Sequence, residues 1–381
     1  MSDQKSAKIK ICIVTSSLAK GGAQKSSSTL SIVLDSLGYE VHIVSILDSI
    51  DYPYKGTLLN LGVSKKEDDS ILGKLKRFHM FFNFIKNNDF DFIIDSRSRP
   101  IVFKQFLINK LIYFNQKVIY IVHSFLLSNY LPKNKLVAQI LYKSAFKFVA
   151  VSEAIKFEMI TKYQFDNVVV INNAIIKSHS NSNTEPAIPS ENFILFFGRI
   201  EDSVKNLTLL IDSYQRSILS DNNIKLVILG EGSDKLKLEE KVKAMGMSEN
   251  ILFLPYISNP SQVISKAMFS ILTSKYEGFP TMLVESLSLG VPVISVNCQS
   301  GPSEIIIEAQ NGLLVPNNNP YLLSEAMNRF VTDNELYKLC KHNAKKSIEK
   351  FHIENGNNYS THLPNFIKSL GKTSITLDID R

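Results

Sequence analysis

Short runs rich in Val, Ile and Phe alternate with longer stretches of helical period along the whole chain. That alternation predicts parallel β-sheets sandwiched between helices. In the first half, strands are expected near residues 9–16, 40–46, 91–95, 117–122, 147–152 and 167–171. Helical stretches near 23–37, 71–87, 100–114, 136–145 and 153–163 separate them. The rhythm then restarts: FILFFGR (193–199), KLVILG (225–230), ILFLPY (251–256), FSILTS (269–274), PVISVN (292–297) and GLLVP (312–316) read as a second set of strands.

Between the two sets lies KSHSNSNTEPAIPSEN (177–192), which is polar, holds two Pro and has no period, as a linker does. The fold class expected is therefore α/β, with two doubly wound Rossmann-like domains at 1–185 and 186–350. The stretch 351–381 is expected to hold a helix that crosses back towards the first domain, followed by the frayed tail KTSITLDIDR. Open sheets of this kind bind ligands outside the carboxyl ends of their strands. A cleft between two such edges is where an active site is expected.

Composition narrows the class without changing that picture. The 381 residues are 44% hydrophobic and 21% charged, which fits two ordinary globular domains. The 16 Gly and 13 Pro follow no fixed period, so collagen-like and solenoid architectures are excluded. Cys12, Cys298 and Cys340 are far apart in sequence and form no Cys-x-x-Cys, which argues against a disulfide framework or a local thiolate zinc site. The polar start MSDQKSAKIK has no apolar signal region, and no stretch approaches the ~18 to 20 uninterrupted apolar residues of a spanning helix. A cytoplasmic location is expected.

Charge is unevenly spread. Residues 1–185 hold 24 Lys and Arg against 15 Asp and Glu, whereas residues 186–381 hold 19 against 21. Within the first half, residues 71–150 carry 13 basic and 3 acidic side chains among many Phe, Leu, Ile and Tyr, as in ILGKLKRFHMFFNFIK. A cationic and greasy surface of this kind suits an anionic bilayer or a nucleic acid. Lysines merely solvating the backs of core-packed helices would give the same counts.

Three segments carry candidate chemistry. Gly21 and Gly22 stand at a strand-to-helix turn, where backbone amides can approach a phosphate, although the full G-x-G-x-x-G is lacking and a plain tight turn explains the pair equally well. In FFGRIEDSVKN, Arg199 closes a strand and Lys205 sits near the start of the next helix. Together they would make a diphosphate clamp from a guanidinium fork and a point charge. In SKYEGFPTMLVESLSLGVPVIS, Glu277 lies in a loop, Pro280 suits a first helical turn and Glu285 falls inside the helix. The amides of Thr281 and Met282 can face a phosphate, and Glu285 can reach ribose hydroxyls. Two surface acids on an amphipathic helix would have the same spacing.

With these residues in view, the sequence resembles the retaining glycosyltransferases of family 4, which have the GT-B fold. The resemblance rests on GGAQK (21–25), VSEAIK (151–156), INNAI (171–175), GRIEDSVKN (198–206), LGEGSD (229–234), GPSEII (301–306) and above all YEGFPTMLVESLSLGVPVIS (276–295), which matches the family's E-x7-E signature. It covers nearly the whole chain. It implies an acceptor-side first domain and a nucleotide-sugar-binding second one, with Arg199 and Lys205 on the donor diphosphate. It also implies Glu277 beside the transferred sugar, Glu285 on the ribose, and Phe279 to Met282 lining sugar and phosphates through backbone groups. The Gly21–Gly22 loop would border donor phosphates and acceptor, and His123 would lie near the reacting sugar. The family's pattern continues with a residue such as Asp after that histidine, whereas this chain has Ser124, which weakens the expectation of acid/base help there.

The partners so implied are a nucleotide sugar, with UDP as the expected nucleotide, and a glycan or lipid-linked acceptor. An anionic membrane surface met through residues 71–150 joins them; nucleic acid does not. No metal is expected. Asp89-Phe90-Asp91 and Asp378-Ile379-Asp380 match D-x-D formally, but one precedes a strand at a surface turn and the other sits in the tail. Three rivals share some of these features: a GT-B nucleotide-sugar 2-epimerase, a nucleic-acid-binding protein and a non-catalytic nucleotide-sugar-binding homologue.

Overall fold

The structure is a computed structural model and describes residues 8–174 and 189–351. The described residues fall into two units, the first closing at Ala174 and the second running from Pro189 to Phe351. Most of the expected linker, the 185/186 boundary and the expected segment from residue 352 onwards, including Asp378 and Asp380, lie outside the described residues.

The first unit is a seven-stranded sheet. Its strands are β1 (Lys10–Thr15), β2 (Glu40–Ser45), β3 (Thr57–Asn60), β4 (Phe92–Asp95), β5 (Val118–Val122), β6 (Lys147–Ala150) and β7 (Val168–Val170), in the spatial order β3-β2-β1-β4-β5-β6-β7. The second unit has β8 (Phe193–Phe197), β9 (Lys225–Leu229), β10 (Ile251–Leu254), β11 (Ser270–Leu272), β12 (Val293–Asn297) and β13 (Gly312–Pro316), in the order β10-β9-β8-β11-β12-β13. Neighbouring strands are parallel in both sheets.

Parallel strands covered on both faces must be apolar at successive positions, not alternate ones. The central strands obey this. Ile11 to Val14 of β1 and Ile194 to Phe196 of β8 have no solvent exposure. In each sheet the chain first moves one way from its central strand and then returns to build the other side. The strand order therefore reverses between β1 and β4 in one unit and between β8 and β11 in the other, where carboxyl-end loops diverge and leave room for a ligand.

The twelve strands expected from sequence recur within one or two residues at each end, the expected 269–274 narrowing to Ser270–Leu272. β3 and the helix Leu61–Glu67 that follows it were not anticipated. Four partly exposed residues at a sheet edge carry no readable period. What makes β3 possible is Gly56, at φ +100°, where an added Cβ would lie 2.2 Å from the Val41 carbonyl oxygen. The expected helix 100–114 is α-helical over Val102–Leu107 and then widens to a π-helical turn over Ile108–Ile112. At that turn Asn109 is drawn off by neighbours, donating to the Leu141 carbonyl at 2.7 Å and accepting from Gln105 and Tyr120.

Right-handed crossovers fix which face each helix covers. The connections leading from β3 across to β4 and on through β5, β6 and β7 all step the same way. Helices Ile71–Asn87, Val102–Leu107, Lys135–Leu141 and Glu153–Tyr163 therefore share one face of the first sheet, while Gly22–Ser36, between β1 and β2, lies on the other.

Candidate active site

In the second unit the site is built where β8 and β11 end. β8 leads into Gly198 and Arg199, and this loop is held against the neighbouring one after β9: Ile200 N donates to Glu231 O at 2.9 Å, and Gly198 N to Leu229 O at 3.0 Å. The fit is close enough that a Cβ on Gly230, at φ +152°, would stand 1.9 Å from the Gly198 carbonyl oxygen. Arg199 is 57% exposed at its side chain and pairs with Glu201 at 3.2 Å.

Lys205 stands just before the long helix, close to where its spacing suggested, but not within it. It ends a separate four-residue turn, Asp202–Lys205, and the helix Leu207–Arg216 begins only after Asn206, which adopts a left-handed conformation at φ +52°. The break is stabilised by Asp202, whose carboxylate accepts from Thr208 N at 2.7 Å and Thr208 Oγ1 at 2.8 Å. Lys205 is thereby turned towards the loop after β11, where its Nζ meets Glu277 Oε1 at 2.7 Å. Both side chains are partly buried, at 22% and 12% exposure.

Glu277 is fixed from several sides. Its amide donates to Gln299 O at 3.2 Å, and Tyr276 forms a parallel bridge with Gln299. The buried Ser274 hydroxyl donates to the same Oε1 at 2.6 Å, the length of a charge-assisted bond. Thr273 Oγ1 donates to the Lys205 carbonyl at 2.8 Å, and Lys275 N to the Val204 carbonyl at 2.9 Å, so the β11 exit and the Lys205 turn are stitched together.

Pro280 caps the eight-residue helix Thr281–Ser288. Thr281 and Met282 occupy its first turn, where amides have no intrahelical acceptor. Phe279 and Met282 are buried, and the Phe279 ring packs edge-on against Phe351 with centroids 5.1 Å apart. Only backbone groups of these two residues remain for a ligand. Glu285 is half-buried one turn further on.

In the first unit, the expected residues again sit at carboxyl ends. Gly21 precedes the helix Gly22–Ser36 without any side-chain cap, and its amide donates to the Tyr52 hydroxyl at 3.3 Å. His123 follows β5. Its Nε2 is 2.7 Å from Ser96 Oγ, which is 2.8 Å from Ser27 Oγ, while Nδ1 is buried with no partner. Desolvation, with the nearby Arg99 cation, pushes the His123 pKa down from 6.5 to about 3, so the ring is neutral near pH 7.

The sequence reading missed what lies behind this histidine. The polar run Asp95-Ser96-Arg97-Ser98-Arg99 at the end of β4 folds inward, and its Asp and both Arg are buried. Arg97 grips Asp95 with Nε at 2.9 Å and Nη2 at 2.5 Å. Arg99 donates to the Asp95 and Arg97 carbonyls at 3.1 and 2.7 Å and lies within 6 Å of the ring centroids of Tyr120, Tyr130 and Tyr142. Burial alone would raise the Asp95 pKa, but the two guanidinium groups outweigh it and keep the carboxylate ionised. A charged triplet directly after an apolar strand was the available signal. Arg97 and Arg99 must also be subtracted from the basic surface counted over 71–150.

The first D-x-D pair stands at a turn as expected. Asp89 has φ +48°, and Asp91 Oδ2 accepts from Lys10 N at 2.8 Å. Among the described residues, no group of three or more His, Cys, Asp or Glu is placed to hold a metal ion.

Comparison with known proteins follows the same division. Residues 20–178 match the profile of Glycosyltransferase Family 4, and residues 179–347 that of Glycosyl transferases group 1. The chain belongs to the family 4 glycosyltransferases of GT-B fold. A Campylobacter jejuni relative, N-acetylgalactosamine-N,N'-diacetylbacillosaminyl-diphospho-undecaprenol 4-alpha-N-acetylgalactosaminyltransferase, is 29% identical over 90% of this chain and 95% of its own length. The amylovoran biosynthesis glycosyltransferase AmsD of Erwinia amylovora is 27% identical over 84% and 88%. Among solved structures, Anabaena HepE in complex with UDP-glucose superposes with a TM-score of 0.73 at 16% identity, covering 95% of this chain and all of that one.

The neutral His123 has a consequence for stability. Below its unfolded pKa near 6.5, the unfolded chain takes up a proton that the folded one refuses until about pH 3, so stability falls as pH falls through that window. Urea unfolding from pH 7 to pH 4.5 should show wild type losing stability faster than His123→Asn, by up to about 1 kcal/mol per pH unit. Equal slopes would place the imidazole in solvent.

Proposed function

We propose that the chain transfers a hexose or N-acetylhexosamine from a nucleotide sugar, with UDP as the nucleotide, to a glycan or lipid-linked saccharide in bacterial surface polysaccharide assembly. The observation that carries this reading is the convergence of Lys205, Glu277 and the start of helix Thr281–Ser288 at the carboxyl edge of β8 and β11. A diphosphate there would meet the Lys205 ammonium and the free amides of Thr281 and Met282, with Arg199 able to swing in from its exposed pairing with Glu201. Glu285 would take the ribose. The named activity of the Campylobacter jejuni relative, on an undecaprenol-linked saccharide, and the UDP-glucose bound to Anabaena HepE support the acceptor and donor classes.

Bond cleavage would leave an oxocarbenium-like sugar and a diphosphate carrying growing negative charge. Fixed donors aimed at that charge stabilise it at no reorganisation cost. The family resemblance of segment 276–295 supports retention of configuration. With Asp91 committed to the Lys10 amide, the reading assigns charge neutralisation to cations and amides, without a metal. His123, neutral and tied to Ser96, suits a hydrogen bond to the sugar better than proton transfer. UDP release from a panel of UDP-glucose, UDP-galactose and their N-acetyl derivatives should single out one donor, with turnover persisting in EDTA and the product linkage keeping the donor's anomeric configuration by NMR. Dependence on added Mn, or an inverted linkage, would contradict the mechanism.

The acceptor's lipid fits the first unit. Its four crossover helices share one face, and that face exposes Ile71 and Leu72 (each 76%), Phe103 (70%), Leu136 (65%), Ile140 (75%) and Phe157 (66%). Exposed Lys74, Lys76, Lys104, Lys110 and Lys143 lie among them. Arg77 does not join them, because it pairs with Asp69 at 2.6 Å and its side chain is only 11% exposed. No helix among the described residues is long and apolar enough to cross a membrane. The reading is therefore docking on an anionic leaflet, with each cation near the surface contributing about 1 kcal/mol. In vesicle sedimentation, binding to phosphatidylglycerol-containing vesicles should exceed binding to neutral ones, weaken with salt, and fall when Lys74 and Lys76 are changed to Glu. Indifference to lipid charge would return these lysines to ordinary solvation.

A further inference from the structure

The Lys205–Glu277 pair presents a difficulty for the proposed reaction. Lys205 is needed by the diphosphate, yet it also neutralises and orients the carboxylate that would stand beside the sugar. When an anionic diphosphate arrives, the ammonium is drawn towards it. Glu277 then faces a neighbouring negative charge with weakened cationic support, and like-charge repulsion would push it out of the site.

Ser274 offers a neutral donor that is independent of the diphosphate. It is fully buried, so its rotamer is confined by packing. Its hydroxyl reaches Glu277 Oε1 at 2.6 Å, the same oxygen that Lys205 Nζ meets at 2.7 Å. Its neighbour Thr273 is anchored to the Lys205 carbonyl at 2.8 Å, which holds the β11 exit in place beneath both groups. Because both donors take Oε1, the carboxylate meets the sugar through Oε2.

We propose that Ser274 is a positioning residue that holds the Glu277 carboxylate in place when the donor's diphosphate draws Lys205 away. The proposal rests on the nucleotide-sugar reading above and names the group that lets the two roles of Lys205 coexist. Before donor binding, Lys205 and Ser274 share the carboxylate. Afterwards Ser274 retains it, and the bond matters most when the diphosphate charge is largest, as the sugar departs.

The test is UDP release from the donor that wild type prefers, measured as kcat and KM for wild type, Ser274→Ala and Ser274→Cys, with UDP itself titrated as the binding probe. Losing a charge-assisted bond should lower kcat about ten- to hundredfold in Ser274→Ala, with the weaker sulfhydryl donor of Ser274→Cys falling between. KM and UDP affinity should stay within about twofold of wild type, because the nucleotide contacts are untouched. Thermal unfolding checks that both variants are folded, and the near-isosteric Cys variant serves if Ala is not. A kcat unchanged in the folded variants, or a loss appearing in UDP affinity instead of kcat, overturns the role of Ser274 while leaving the function standing. A wild-type chain that releases UDP from none of the panel overturns the functional reading, and this proposal with it.

Discussion

A partly buried ion pair costs desolvation that its own attraction offsets only when other donors complete the geometry. The Lys205–Glu277 contact meets that condition with the Ser274 hydroxyl on the same oxygen, and everything around it serves to hold the two exits together. The left-handed Asn206, the Asp202–Thr208 contacts and the Thr273 link to the Lys205 carbonyl would otherwise be unrelated details. The strand order beneath explains why the pair forms at all. β8 and β11 are neighbours in the sheet though more than seventy residues apart in sequence, and the reversal between them brings a cation from one loop to a carboxylate from the other.

The two units treat charge differently. In the first, Asp95, Arg97 and Arg99 are buried and committed to each other, to carbonyls and to tyrosine rings, so the network is fixed whether or not a ligand is present. Beside it, desolvation keeps His123 neutral and the Arg99 cation adds to that effect. In the second, Arg199 is exposed and Lys205 is paired with a single carboxylate, and such contacts can be exchanged for a phosphate.

The sheets were legible because parallel strands buried on both faces leave long apolar runs, as in ICIVT and FILFF. β3 was not, since a short edge strand made possible by Gly56 leaves no such run. Glu277, Lys205 and Pro280 could be found from motif spacing, because their positions follow from strand ends and helix starts. Ser96 and Arg99 could not, because their roles depend on what stands opposite them across the sheet, and Ser274 could not because the sequence does not show that its hydroxyl turns onto the carboxylate three residues on. The helix break at Asn206 escaped for a similar reason, as one residue at positive φ redirects Lys205 without altering the local pattern. Arg97 and Arg99 show the limit of charge counting, which cannot separate a surface cation from one sealed under three tyrosines.

Calorimetric titration of uridine and of UDP into wild type and Lys205→Ala separates the diphosphate from the base and ribose in a single cycle. If Lys205 leaves Glu277 for a diphosphate, the substitution weakens UDP by about tenfold or more and leaves uridine unchanged, a coupling of at least about 1.4 kcal/mol. Equal losses for both ligands, or none for UDP, would show that this ion pair only supports the fold and that the donor binds elsewhere.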